Sequence, residues 1–182
     1  MKKIIVDIDN TLWHFASILY ERMKEINPQI TQPSEWHDYF FWRSYLTPKE
    51  FYKVIKGIHR DQEMFIPYPD AELFLSSLKD MGFHITIASH REKETLHATV
   101  NWLNRYNLVF DEVHLSYDKS VLLDNCISVI DDSPIILEKA ANSGIICCGL
   151  KMPWNDNGIY NVFETLTEIL HYLRAKKLHE AK

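Results

Sequence analysis

Two aspartates stand two residues apart in Asp7-Ile8-Asp9-Asn10-Thr11, directly after an apolar run that ends at Val6. Past a strand end, two such carboxylates can converge on one point. One can then attack phosphorus as a nucleophile, while the other protonates the leaving oxygen and later activates water. Phosphate and carboxylate repel each other, so the pair needs a cation. Mg²⁺ suits it, because this ion takes oxygen ligands octahedrally and is held by one or two carboxylates plus substrate and water. Asp131-Asp132, after the apolar run that ends at Ile130, supplies further acid.

Two more residues complete an ordered set. Ser89 follows Ile85-Thr86-Ile87-Ala88, and its hydroxyl with the next backbone N–H can hold a phosphoryl oxygen. Lys119 precedes Asp131, and an ammonium there can neutralise both a phosphate and its attacker. Each feature alone has a plainer reading. Carboxylates and serines after strands often cap the next helix, an Asp-Asp pair is often a solvated turn, and a single lysine is usually a surface lysine. Acid pair, hydroxyl, lysine and acid pair in that order are harder to explain by capping and solvation.

Positioning these groups requires strands. Lys3–Val6, Phe83–Ala88, Glu112–Leu115, Cys126–Ile130 and Ile145–Gly149 read as five of them. Helical periodicity fills the intervals: Ala71, Phe74, Leu78 and Met81 share a face, as do Leu96, Val100 and Leu103, and then Val162, Leu166, Ile169 and Leu173. A helix is expected over Glu92–Asn104, and another between Ser133-Pro134 and Gly144. Strands separated by helices predict the α/β class, a parallel sheet with helices on both faces that binds ligands at the carboxyl ends of its strands. The stretch 15–68 differs, being helical in pattern and rich in aromatics, with a capping box at Thr47-Pro48-Lys49-Glu50. It is expected to form a small helical cap inserted after the first strand, leaving 1–14 and 69–182 as the core. Arg174–Lys182 reads as a charged, frayed helix end.

Composition narrows the classes. A chain of 182 residues, 46% apolar and 25% charged with both signs interspersed, fits one soluble domain, and a net charge of −5 gives no nucleic-acid surface. No apolar run approaches the roughly 18 residues of a membrane span, and the start is too short for a signal peptide. Cys126, Cys147 and Cys148 make no disulfide framework, and adjacent Cys147 and Cys148 in a strand would face opposite sides. A cytoplasmic setting is expected.

With those residues in place, the chain resembles the haloacid dehalogenase superfamily. Asp7–Thr11 matches its first motif, Ser89 the second, Lys119 the third and Asp131-Asp132 the fourth. The resemblance implies a Rossmann-like core, a covalent aspartyl-phosphate on Asp7, Asp9 as general acid and base, and Mg²⁺ held by Asp7, the carbonyl of Asp9, and Asp131 or Asp132. An acid at position 9 points to a phosphatase or phosphomutase. Tyr117–Val121, Val129–Pro134 and Met152-Pro153-Trp154-Asn155 are similar to segments of the 5′(3′)-deoxyribonucleotidases, which usually have glycine where Asn10 stands. Charge on the transferring phosphoryl group would be shared by Ser89, Lys119 and backbone N–H groups near Ile8, Asn10 and His90. His90 or Arg91 would lie near phosphate or sugar. The expected partner is a small phosphorylated substrate, with nucleoside monophosphates first and sugar phosphates, other metabolites or a phosphoprotein as alternatives. No nucleic-acid polymer and no membrane is expected, and a homodimer is a possible assembly. The aromatics Trp36, Phe40, Phe41 and Trp42 could stack on a base, or simply pack the cap.

Overall fold

The computed structural model describes residues 2–176 of the chain. Its centre is a parallel sheet of six strands: β1 (Lys2–Val6), β2 (Phe83–Ser89), β3 (Glu112–Leu115), β4 (Ser128–Ile130), β5 (Ile146–Leu150) and β6 (Asn161–Phe163). Their order is β3-β2-β1-β4-β5-β6, and every pairing is parallel. The order reverses direction at β1, where the chain winds outward first to β2 and β3 and later to β4, β5 and β6. A crevice opens at such a reversal, just beyond the carboxyl ends of β1 and β4. Asp7 directly follows β1, and Asp131 directly follows β4.

Both faces of the sheet are covered. Along β1, Ile4 and Val6 join the larger apolar cluster and Ile5 the smaller one on the other face, as the two-residue side-chain period of a strand requires. All three are at most 2% exposed, so each stabilises the sheet by about 1.5–3 kcal/mol of apolar burial. Cys147 and Cys148 likewise divide between the two clusters, and all three cysteines are free. Helices α3 (Ala71–Asp80), α4 (Leu96–Arg105), α5 (Pro134–Asn142) and α6 (Leu166–Ala175) pack against the sheet and its flanks. Pro134 opens α5 at its first position, and Gly144, at φ +71°, follows its end.

Between β1 and α3 the described chain forms no strand. It folds into α1 (Phe15–Lys24), short 3₁₀ turns at Pro33–Glu35 and Phe41–Ser44, and α2 (Pro48–Arg60). The Thr47 capping box closes as expected, with Thr47 N–H donating to Glu50 at 2.9 Å and Glu50 N–H to the Thr47 hydroxyl at 3.4 Å. Trp36 and Trp42 share the larger cluster with Ile4 and Ile87, so this segment and the sheet have one continuous apolar core.

Several local expectations change. Val162 lies in β6, not on the last helix, which begins at Leu166 behind the Thr165 cap. A three-residue strand is too short for its period to stand out from the helix beside it. Leu103 is buried as expected, but Leu96 is 44% exposed, and the buried face of α4 is completed by Thr99 and Trp102. A 3₁₀ turn at Lys93–Thr95 precedes α4 and rotates it relative to a helix begun at Glu92. The fourth strand starts at Ser128, because Ser120–Asn125 is a 3₁₀ turn whose C-cap is Cys126. The expectation for the chain end beyond Lys176 lies outside the described residues.

Candidate active site at the carboxyl ends of the strands

Lys119 joins the ends of β1 and β4. Its Nζ donates to Asp7 Oδ1 at 2.7 Å and to Asp131 Oδ2 at 2.6 Å, and all three side chains are buried. Asp131 Oδ1 accepts from the Ser133 N–H at 2.9 Å, which fixes the turn into α5. Asp132 Oδ2 accepts from Asn10 Nδ2 at 3.0 Å. Carboxylate oxygens of Asp7, Asp131 and Asp132 thus lie within 4.8 Å of one another.

Charge on this cluster is strained. Burial pushes Asp7 up to about 8; Lys119 works against the shift, while Asp131 and Asp9 add to it. Asp132 is raised well above the usual carboxylate range by burial and then by Asp7 and Asp131. Burial opposes a charge on Lys119 as well, but Asp131 and Asp7 outweigh it and raise its pKa. Three carboxylates against one ammonium leave an excess of negative charge, and all the converging donors are oxygens. That donor set fits a hard divalent cation such as Mg²⁺ better than zinc, which favours nitrogen and sulfur.

Asp9 turns to other partners. Its Oδ1 accepts from Trp13 Nε1 at 3.0 Å and Arg91 Nη2 at 2.6 Å. Its Oδ2 accepts from the Ser89 hydroxyl and meets His59 Nε2, each at 3.1 Å. Burial favours a neutral Asp9, but Arg91 and His59 outweigh it and hold its carboxyl well below the usual range. Burial and then Arg91 lower the pKa of His59, while Asp9 works against the shift; a proton on Nε2 makes the ring a donor to the carboxylate.

Each sequence-derived candidate therefore has a place. Asp7, Asp9, Asn10, His90, Lys119, Asp131 and Asp132 all line one cavity of about 350 Å³. His90 is exposed at its margin, with Tyr117 edge-on at 4.9 Å. Ser89 is fully buried, and its hydroxyl is engaged by Asp9 and by Arg91 Nε at 2.9 Å. Arg91 is 1% exposed and spans Ser89, Thr99 and Asp9, so it does not lie free for a phosphate or sugar. Asn10 has φ +56°, the left-handed region that glycine favours and asparagine tolerates. Its Oδ1 also accepts from the Ala16 N–H at 2.7 Å, tying the start of α1 to the acid loop. That double use explains asparagine at a position where glycine would serve the backbone alone.

Sequence reasoning missed His59 and Trp13 altogether. His59 comes from α2, fifty positions from Asp9, and a lone histidine on an amphipathic helix gives no local signal. Trp13 follows Asp9 by only four residues, so its proximity was a usable signal.

The loop after β4 is braced from behind. Trp154 Nε1 and Asn155 Nδ2 both donate to the Asp132 carbonyl, at 3.2 and 3.0 Å, and Asn155 Nδ2 also reaches the Leu150 carbonyl at 3.0 Å. Gly149 passes so close that a Cβ there would meet the Asp131 carbonyl oxygen at 2.1 Å.

The fold has parallels among solved structures. The chain has the fold of haloacid dehalogenase superfamily hydrolases. A HAD family hydrolase from Deinococcus radiodurans, solved with bound phosphate and sodium, matches with a TM-score of 0.63 at 15% identity, covering 100% of this chain and 99% of that one. A predicted phosphoglycolate phosphatase from Haemophilus somnus matches with a TM-score of 0.65 at 16% identity, over 95% and 98% of the two chains. A HAD-superfamily hydrolase from Ehrlichia chaffeensis gives 0.58 at 17%, over 96% and 98%. No protein-family model matches the chain, and no curated protein matches it. Identities this low carry the fold, while activity has to be argued from the site.

Proposed function

We propose that this chain is a Mg²⁺-dependent phosphomonoesterase that works through an aspartyl-phosphate on Asp7. The observation that carries the reading is Lys119 held between Asp7 and Asp131, with Asp132 beside them, on the floor of a cavity large enough for a small organic phosphate. Asp7, Asp131, Asp132 and the Asp9 carbonyl would hold Mg²⁺, which would offset the repulsion between the phosphate and Asp7. Asp7 attacks the phosphorus in line, and Asp9 protonates the departing oxygen. The donors around Asp9 favour its ionised form, but a phosphate dianion beside it works the other way, so Asp9 takes up its proton with the substrate. Asp9 then removes a proton from water as the water attacks the aspartyl-phosphate. Lys119 and the backbone N–H groups of Asn10 and His90 share the phosphoryl charge, joined by Ser89 if its hydroxyl turns from Asp9.

Residues 15–68 act as the cap. Two of their side chains already touch the site loops: His59 reaches Asp9, and the half-buried Tyr39 lies near Ser133 with its ring edge-on to Trp154. Trp36 stacks on Phe41 at 3.7 Å and Trp42 on Phe51 at 4.1 Å, so these aromatics pack the cap and also wall the cavity. A flat, partly cationic wall, with Arg43 over Phe40 at 4.1 Å, favours a nucleoside monophosphate among the small phosphates. Sugar phosphates and other small phosphorylated metabolites are the second class, the latter supported by the predicted phosphoglycolate phosphatase among the structural relatives.

A phosphate-release screen over nucleoside monophosphates and sugar phosphates, with Mg²⁺ and with EDTA, tests both levels. Mg²⁺-dependent turnover, strongest on a nucleotide, is expected. Asp7→Asn should abolish it while the circular dichroism spectrum stays that of the wild type. Normal turnover in that variant would end the proposal.

A further inference from the structure

Asp9 is surrounded by donors from three separate parts of the chain: Trp13 beside the first motif, Ser89 at the end of β2 with Arg91 just beyond it, and His59 from α2. Both oxygens accept two contacts each, which fixes the orientation of the carboxyl group about its own bond. Arg91 is held just as firmly. Its three nitrogens are spread over Ser89, Thr99 and Asp9, and its side chain is fully buried. His59 is 3% exposed and is the one contact that comes from the helical segment. We propose that Arg91 and His59 are positioning residues that aim the Asp9 carboxylate as the base of the second half-reaction, and that His59 makes this aim depend on the cap being seated. The inference rests on the phosphatase reading above.

In that half-reaction the Asp9 carboxylate takes a proton from water, and the water oxygen bonds to phosphorus. The bond from phosphorus to Asp7 breaks with its electron pair returning to the Asp7 carboxylate, and inorganic phosphate leaves. The first half-reaction needs no proton from Asp9 when the leaving group is a stable anion such as p-nitrophenolate. The two steps can therefore be separated.

The test is rapid-mixing kinetics of wild type, His59→Ala, His59→Gln and Arg91→Lys with p-nitrophenyl phosphate and Mg²⁺, with acid-quenched phosphoenzyme measured alongside. In His59→Ala and Arg91→Lys, a stoichiometric p-nitrophenol burst should persist. Their steady-state rate should fall about ten- to a hundredfold, at or below what a general base supplies, and phosphoenzyme should accumulate. His59→Gln, which keeps an N–H donor, should recover part of the loss. A burst and a steady-state rate that fall together, or no fall in either, would overturn the positioning role. Asp9→Asn separates the two levels: it should accumulate phosphoenzyme whatever the fate of His59. If it does not, or if wild type releases no p-nitrophenol, the phosphatase reading fails and takes this inference with it.

Discussion

Asp7 and Asp132 sit where a carboxylate holds its charge least well, buried among other acids. Each therefore contributes stability that is complete below its unfolded pKa, near 3.9, and is lost as pH rises through its raised folded value, about 8 for Asp7. Asp9 has the opposite sign: its stability is present above about 3.9 and is lost only as pH falls below that, through its depressed value. The lowered His59 adds stability that is complete above about pH 6.5, so in EDTA the melting temperature should fall from about pH 6.5 to about pH 8, and Asp132→Asn should flatten that fall and weaken the rise that Mg²⁺ produces at pH 8. Scanning fluorimetry reads all of this, and a melting temperature that climbs over the same range in EDTA would contradict it. These acids were legible in the sequence because each follows an apolar run. Arg91 was legible only as a cation near the site. Its burial and its three partners depend on α4 supplying Thr99 and on Asp9 reaching across from the loop after β1, neither of which is written locally.

At the scale of elements, the site depends on how closely β5 approaches the loop after β4. Gly149 leaves the Asp131 carbonyl no room for a side chain, whereas a Cβ on Gly57 in α2 would meet nothing within 4 Å. Gly149→Ala should therefore displace the Asp131-Asp132 turn, lower the melting temperature and cost most of the activity. Gly57→Ala should stabilise the fold by about 0.4–1 kcal/mol by reducing chain entropy in the unfolded state. Thermal melts and phosphate-release assays on the two variants check the contrast, and an active, stable Gly149→Ala protein would show that the turn is not so confined. Sequence periodicity gave five strands and the Thr47 and Pro134 helix starts, because those signals span few residues. It missed β6 and placed Val162 on a helix, since three residues pairing only with β5 carry no period of their own.

Across the whole molecule, strand order does what no motif can. Placing β1 between β2 and β4 brings residues 7, 9, 89, 119 and 131 together at one switch point, although their spacing in the chain says only that most of them stand at or beyond a strand end. The helical segment inserted between β1 and α3 then reaches back over that point through His59 and Tyr39. Its aromatic content was readable: the rings pack each other, and they line the cavity as well. Which of them face the cavity is a property of tertiary packing and was not. Chemistry at the floor is the part that everything else presupposes, and it can be tested without knowing the natural substrate. Wild-type protein turning over p-nitrophenyl phosphate with Mg²⁺ is quenched in acid during the burst and reduced with borohydride, which converts an acyl phosphate on aspartate to homoserine. Peptide mass spectrometry should then find homoserine at position 7. An active enzyme that yields unmodified Asp7, or homoserine at Asp9 instead, would contradict the assignment of Asp7 as the nucleophile.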